Sequence, residues 1–491
     1  MGRLFGTDGV RGVAGQDLTA QLAMDLAYAA VPVLTRPVGT GTGAAGDTSA
    51  PTSAAASGGG SAGHRVNRPV AVIGRDSRAS GDFLEAAVVA GLSASGVDVL
   101  RLGVIPTPGV AYLTGALGAE FGVVLSASHN PAQDNGIKFF GRGGVKLPDE
   151  TEDEIEAGLK AGTRASEPVG GFGRVTDAYS QHETYLEHLL SSLPVPADGS
   201  APLAGLRIVV DCAHGAAYSI GPRALRRAGA EVIAIGAAPD GLNINAGVGS
   251  THLDVLRAAV LDNDADAGLA FDGDADRCLA VDGEGQPLDG DQILTILASE
   301  LKSQGRLAGD TVVVTVMSNL GFHDAMRDAG IKVIQTPVGD KHVYAAMREG
   351  GYMLGGEQSG HIIQMSHATT GDGTLTGLQL LAAVSRSGSS VAAAGKLMPR
   401  YPQVLINVRG DKERGMSNPG LDEAVQAATK RLADTGRVLL RPSGTEPAIR
   451  VMVEARETET AEQVAGQLAS AVRLAMDGED PEAISRALSL A

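Results

Sequence analysis

The chain is poor in cysteine: among 491 residues only Cys212 and Cys278 occur. Two thiols cannot build a disulfide framework, and they lack the CxxC spacing of a zinc or redox site, so a reducing cytoplasm is the expected compartment. Positive charge is also scarce. With 40 Lys and Arg against 57 Asp and Glu the formal net charge is −17. A surface of that sign excludes nucleic acid and anionic membranes as expected partners and leaves small molecules. Long apolar runs are missing as well. The N-terminal "MGRLFGTDGVRG" has no signal-peptide core, and no segment approaches the ~18 unbroken apolar residues of a membrane span.

Several familiar motifs are absent or defective. No GxxxxGK[ST] occurs, and the Gly395-Lys396 pair is followed by Leu397, which excludes a nucleotide-binding P-loop. A formal GxSxG at Gly59–Gly63 lies inside Gly39–Gly63, a stretch of Gly, Ala, Ser, Thr, Pro and one Asp. A hydrolase elbow needs a strand before the serine and a helix after it, and neither is present. The stretch reads as a disordered insertion in a helix-to-strand loop.

What remains is an ordinary globular composition, 43% apolar and 20% charged, in a chain long enough for three or four domains. Short apolar strands alternate with amphipathic helices in three successive blocks, the signature of doubly wound α/β layers. From about Tyr401 the pattern changes to a smaller α+β unit, ending in a helix with Val464, Leu468 and Val472 on one face. In doubly wound sheets ligands bind beyond the carboxyl ends of the strands, so the polar loops that follow each strand are where chemistry is expected.

Five such loops stand out. In "AFDGDADR", Asp272, Asp274 and Asp276 recur at every second position; an extended segment would point all three carboxylates one way and demand a cation. An EF-hand is excluded, because Arg277 and Gly283 occupy its obligatory Gly and Glu positions. Three hard oxygen ligands favour Mg²⁺ over an Asp-rich surface turn. In "VVLSASHNP", Ser126, Ser128 and His129 leave a strand; a serine there is ordinarily a cap or turn residue, and a nucleophile is the sharper alternative. In "GGEQSGH", Glu357 and Ser359 are able to hold sugar hydroxyls and His361 to move protons near neutral pH. In "RPSGTEPAIR", Arg441, Ser443, Gly444 and Thr445, with Arg450 nearby, form a candidate phosphate nest. Last, "FGTDGVRG" brings Arg11 on a Gly-flanked loop.

Together with "DNGIKFF" and "TTGDG", these loops resemble the α-D-phosphohexomutase superfamily, in its motif order and over the whole chain apart from the insertion. Within it, the "EQSGH" form of the sugar loop and "NGIKFF" resemble the glucosamine branch. One departure is "TPVGDKHV", where Lys341 and His342 stand in place of Arg and Tyr. The resemblance implies three doubly wound mixed α/β domains followed by a smaller α+β C-terminal domain around a central cleft, with limits at 1–188, 189–295, 296–399 and 400–491. It implies a phosphorylated Ser128 whose phosphoryl group completes one Mg²⁺ site with Asp272, Asp274 and Asp276. It implies supporting charge from Arg277, Lys138 and Arg11, with Ser126 structural and His129 a loop support. Lys341, Glu357 and Ser359 would bind sugar, and His361, then Lys138, would serve as acid and base. The implied reaction isomerises glucosamine 6-phosphate to the 1-phosphate through glucosamine 1,6-bisphosphate, feeding cell-wall precursor synthesis, in a monomer or homodimer.

Overall fold

A computed structural model describes residues 3–6, 9–36, 68–163, 171–196, 198–443 and 446–486. The expected insertion at Gly39–Gly63, with its GxSxG match, lies outside the described residues, as do Gly444 and Thr445. The chain divides into two units, Met1–Pro287 with His361–Arg386, and Leu288–Gly360 with Ser387–Ala491.

The first unit contains two α/β layers. In the first sheet the strands lie in the order Val10–Val13, Asp134–Gly141, Phe121–Leu125, Val70–Arg75, Asp98–Val104, Val175–Asp177. Pairing is parallel from Phe121–Leu125 outward and antiparallel on both sides of Asp134–Gly141. All five residues of Phe121–Leu125 are buried, as a strand covered on both faces requires. Helix Ala20–Leu34 begins where Thr19 accepts a hydrogen bond from the Leu22 amide, and it buries Ala23, Leu26, Ala27 and Ala30. In the second sheet Ala267–Phe271, Arg207–Asp211 and Glu231–Ile235 run parallel, and Cys278–Asp282 returns antiparallel to the first of them. That return makes "DGDADR" the short connection between two buried neighbouring strands.

The second unit holds a parallel layer, Lys332–Thr336, Thr311–Thr315 and Leu354–Gly356, and an antiparallel sheet ordered Gln403–Arg409, Ala448–Ala455, Gly436–Pro442. Helix Gly290–Ser303 starts in a capping box formed by Asp289 and Gln292. Helix Thr458–Asp477 lays Val464, Leu468 and Val472 onto the antiparallel sheet with none of their surface exposed. Burying such a side chain contributes about 1.5–3 kcal/mol each, so this stripe anchors the C-terminal domain. Glu454 of that sheet, fully buried, pairs with Arg437 at 2.6 Å and accepts from the amide of Leu320, tying the sheet to the parallel layer beside it. The chain thus contains three α/β domains and a smaller α+β domain at its C-terminal end.

Candidate functional site

In the first unit the site begins where strand Phe121–Leu125 ends. Ser128, 3% exposed, sits in the left-handed region at φ +50°. That conformation costs an L-residue about 1–2 kcal/mol, so the surroundings must impose it. Its Oγ donates to Asp272 Oδ2 at 2.7 Å and lies 3.2 Å from His129 Nδ1. Ser126 does not face the carboxylates: its Oγ donates to Asp76 at 2.6 Å and accepts from the Ser128 amide at 2.9 Å. Four other non-glycine residues with positive φ, Ala213, His214, Asn245 and Ala275, lie in loops that follow strands of the second layer. Gly273 is required where it stands, because a Cβ there would lie 2.5 Å from the Ser128 carbonyl oxygen.

Asp272, Asp274 and Asp276 are all buried, and one oxygen from each lies within 4.8 Å of the others. A regular extended run is not what aligns them: residues 272–277 form a turn, with Ala275 left-handed at φ +56°. The convergence expected from period two is present, but a turn and not an extended strand produces it. Asp274 Oδ2 accepts from Thr107 Oγ at 2.7 Å, whereas Asp274 Oδ1 and Asp276 Oδ1 are buried with no hydrogen-bond partner. Burial first, then the charges of Asp276 and Asp274, raise the carboxyl of Asp272 well above the usual carboxylate range. Orphaned oxygens beside a carboxyl that resists ionisation are what a hard divalent cation would relieve, so the residues present fit such an ion.

Positive charge lies beside this cluster. The Arg277 amide donates to Asp272 Oδ1 at 3.2 Å, and its guanidinium reaches 3.8 Å from Asp276 and 3.4 Å from His129. Burial, followed by Arg277 and Arg11, lowers the pKa of His129, favouring the neutral ring. Arg11 pairs in register with Gly136 on the strand that also carries Lys138, itself buried and registered opposite Val124. His361 packs behind the aspartate turn: its Nε2 accepts from the Gly371 amide at 3.2 Å and lies 3.8 Å from Asp276 Oδ2. An accepting Nε2 puts the neutral ring's proton on Nδ1.

In the second unit Glu357 accepts from the amide of Gly339, two residues before Lys341, and Ser359 Oγ lies 3.5 Å from the same carboxylate. Arg441 and Arg450 are directly paired across neighbouring strands, and burial with that like charge lowers the pKa of Arg441. Ser443 is buried and its Oγ accepts from the Glu446 amide. Lys412, unremarked in the sequence, donates to the Ser443 carbonyl at 2.7 Å and adds a third cation.

Sequence reasoning also missed Asp76, Arg78, Thr107, Asn245 and Asp372. Asp76 and Arg78 lie in "GRDSR", directly after strand Val70–Arg75, so the rule that favours loops after strands would have found them. Asp372, in "TTGDG", is buried, accepts from Tyr185 at 2.7 Å, and is pushed up to about 6 mainly by burial.

Models of phosphoglucomutase/phosphomannomutase match in order: α/β/α domain I over residues 43–166, domain II over 183–285, domain III over 289–401 and the C-terminal domain over 405–471. Fold and motifs therefore define a phosphohexomutase. The chain is 58% identical to a phosphoglucosamine mutase of Thermobifida fusca, covering 96% of this chain and 98% of that one, and 56% identical to one of Streptomyces griseus, covering 97% and 100%. It belongs to the phosphoglucosamine mutase family, and is accordingly an enzyme, an isomerase. Among solved structures it is similar in fold to a phosphoglucomutase/phosphomannomutase family protein from Burkholderia thailandensis, with TM-score 0.78, 24% identity and coverage of 97% and 98%. A second is N-acetylphosphoglucosamine mutase of Aspergillus fumigatus, solved with GlcNAc-6P and magnesium, with TM-score 0.60, 21% identity and coverage of 75% and 92%. Among the described residues no helix is long and apolar enough to cross a membrane.

Proposed function

We propose that the chain interconverts glucosamine 6-phosphate and glucosamine 1-phosphate by way of phosphorylated Ser128 and glucosamine 1,6-bisphosphate. The observation that carries the reading is the Ser128 hydroxyl, held 2.7 Å from Asp272 beside two further buried carboxylates, each with an oxygen that makes no hydrogen bond. The names of the bacterial relatives support the amino sugar as substrate over glucose or mannose phosphates.

In this reading the sugar's O1 attacks the phosphoryl group on Ser128. The new O1–P bond forms as the Oγ–P bond breaks, and the proton of the O1 hydroxyl passes by way of a base to the departing Oγ. The bisphosphate turns over, Ser128 Oγ gives that proton back to a base and attacks the 6-phosphoryl group, and as the new Oγ–P bond forms the O6–P bond breaks and O6 takes the proton. Asp272, Asp274 and Asp276 would hold Mg²⁺ together with the seryl phosphate, and the ion when bound supplies charge neutralisation at the phosphoryl oxygens. Arg277, Lys138 and Arg11 add fixed positive charge, and positioning with electrostatics does the rest. Lys341, Glu357 and Ser359 grip the sugar; Arg441, Ser443, Gly444, Thr445 and Arg450 grip its distal phosphate. His361 is the leading acid and base and Lys138 the second, both supported by their place beside the carboxylate and serine loops. The domain limits at 188, 295 and 399, a cytoplasmic location, a place in cell-wall precursor synthesis, and a monomeric or homodimeric state belong to the same proposal.

Intact-mass measurement after exposure to glucosamine 1,6-bisphosphate tests it. One added phosphoryl group is expected on the wild type and none on Ser128→Ala, which keeps its fold and loses turnover. Turnover retained by Ser128→Ala, or a higher kcat/KM for glucose or mannose phosphates than for glucosamine 6-phosphate, overturns the reading.

A further inference from the structure

Arg78 has none of its surface exposed, and all five of its side-chain N–H groups are used on one small region. Nε donates to Asp76 at 2.8 Å. Nη1 donates to the carbonyls of Pro131 and Asp134, and Nη2 to those of Ser128 at 3.0 Å and Asn130 at 2.8 Å. Asn245, itself left-handed at φ +60°, sends its Nδ2 to the same two carbonyls, at 2.9 Å from Ser128 and 3.0 Å from Asn130. The Ser128 amide, in turn, donates to Ser126 Oγ, which donates to Asp76, which holds Arg78. A closed circuit thus grips both the amide and the carbonyl of the serine that faces the carboxylate triplet.

We propose that Arg78 and Asn245 are positioning residues for phosphoryl transfer: they fix the backbone of Ser128 in its left-handed conformation and so hold Oγ aimed at Asp272. The inference rests on the reading of Ser128 as the phosphoryl carrier. Neither side chain makes a hydrogen bond to Oγ, so their effect is on the placement of the reacting atom. A displacement on the order of 1 Å at a reacting centre lowers rates by up to about 100-fold. A lysine at position 78 offers three donors where the arginine offers five, and cannot reproduce the fork.

The test is single-turnover transfer from phospho-Ser128 to glucosamine 6-phosphate, with steady-state KM measured in parallel and rates counted per folded molecule by circular dichroism. Asn245→Ala leaves one donor on the Ser128 carbonyl and should cut the transfer rate at least fivefold with KM changed less than twofold. Arg78→Lys should cut it by about 100-fold, again without raising KM. Because removing a buried arginine's fork can unfold the domain, Asn245→Ala decides the matter. A loss below fivefold in that variant, or a loss that appears as raised KM with the transfer rate intact, overturns the inference. Ser128→Ala run alongside separates the two claims: if it still turns over, the carrier assignment fails, whereas if it is dead and Asn245→Ala transfers normally, only the clamp fails.

Discussion

Replacing Asp274 by asparagine should stabilise the metal-free protein while weakening its response to Mg²⁺. Two unit charges 4.8 Å apart, the outer limit for the triplet, repel by about 3.5 kcal/mol at an effective dielectric near 20. Three ionised carboxylates would therefore carry about 10 kcal/mol, comparable to the whole stability of a domain. Burial, then Asp276 and Asp274, raise the carboxyl of Asp272, so the metal-free protein relieves part of this repulsion by resisting its ionisation. Asp274→Asn removes the repulsion between that position and at least one neighbouring carboxylate, so it should gain about 3 kcal/mol, several degrees in the melting of the first unit. The amide keeps an oxygen for Thr107, and its N–H₂ fills the position of an oxygen that has no hydrogen-bond partner. The pH dependence has a definite sign. The folded protein binds a proton that the unfolded chain releases, so metal-free stability falls as pH rises above the ordinary carboxylate range, and Asp274→Asn should flatten that slope. Differential scanning fluorimetry from pH 4 to 8, with and without Mg²⁺, reads all of this. At about 100 times its Kd, Mg²⁺ should add about 2.7 kcal/mol to the wild type and markedly less to the variant. A variant that melts below wild type without metal, or responds equally to Mg²⁺, refutes the reasoning.

Three further outcomes follow from other groups. Asp372, with its pKa near 6, should cost about 3 kcal/mol of stability between pH 4 and 6 and nothing more above that. Asp372→Asn keeps an acceptor for Tyr185 and should lose the slope, and urea titrations at pH 4.5 and 7.5 that show equal slopes for both proteins would contradict this. Cys212 and Cys278 are fully buried, with thiol pKa values pushed far up by burial, so neither should react with a maleimide in the native protein and both should react in urea. Arg441→Ala removes one of two paired guanidinium groups; a lost charge-assisted bond of about 1.5–3 kcal/mol should raise KM for glucosamine 6-phosphate by roughly 10- to 100-fold, with a smaller change in kcat.

Composition and periodicity made the layered α/β plan legible, because strands such as Phe121–Leu125 and Ala267–Phe271 are continuous apolar runs bounded by glycine and polar turns. The helix carrying Val464, Leu468 and Val472 was legible for the matching reason at a period of 3.6. The aspartate triplet was visible as a cluster, but not its geometry: a left-handed Ala275 has no sequence signature, and alternation mimicked a strand. The rule that favours loops after strands reaches the loops of Arg78 and Asn245 but not what these residues do there, because their importance lies in contacts to carbonyls 50 and 117 residues away in the chain. A backbone oxygen looks the same in every residue, so no side-chain pattern betrays such a pair. Lys412 was missed for the same reason, since its partner is the carbonyl of Ser443.

The two ends of the proposed substrate meet different kinds of recognition, and the proposed reaction needs that difference. At Ser128 the surroundings are directional: a clamped backbone, a hydroxyl 2.7 Å from one carboxylate, and a turn whose glycine admits the serine carbonyl. Such a site tolerates one geometry of the reacting oxygen. The Arg441 and Arg450 pair, with Lys412 bonded to the nearby Ser443 carbonyl, offers charge and polar donors. A grip of that kind binds a phosphate equally well whether it hangs from O1 or O6, as reversal of the bisphosphate demands. Discrimination between sugars must then come from other residues. Glu357 is the leading one, because it alone of the sugar-loop residues presents an anionic acceptor, and its Oε1 is already fixed by the Gly339 amide. An amino sugar carries a cationic ammonium at C2 where glucose carries a neutral hydroxyl, so Glu357→Gln should erode the preference for glucosamine 6-phosphate over glucose 6-phosphate more than it slows either reaction. Equal losses on both sugars would remove Glu357 from that role.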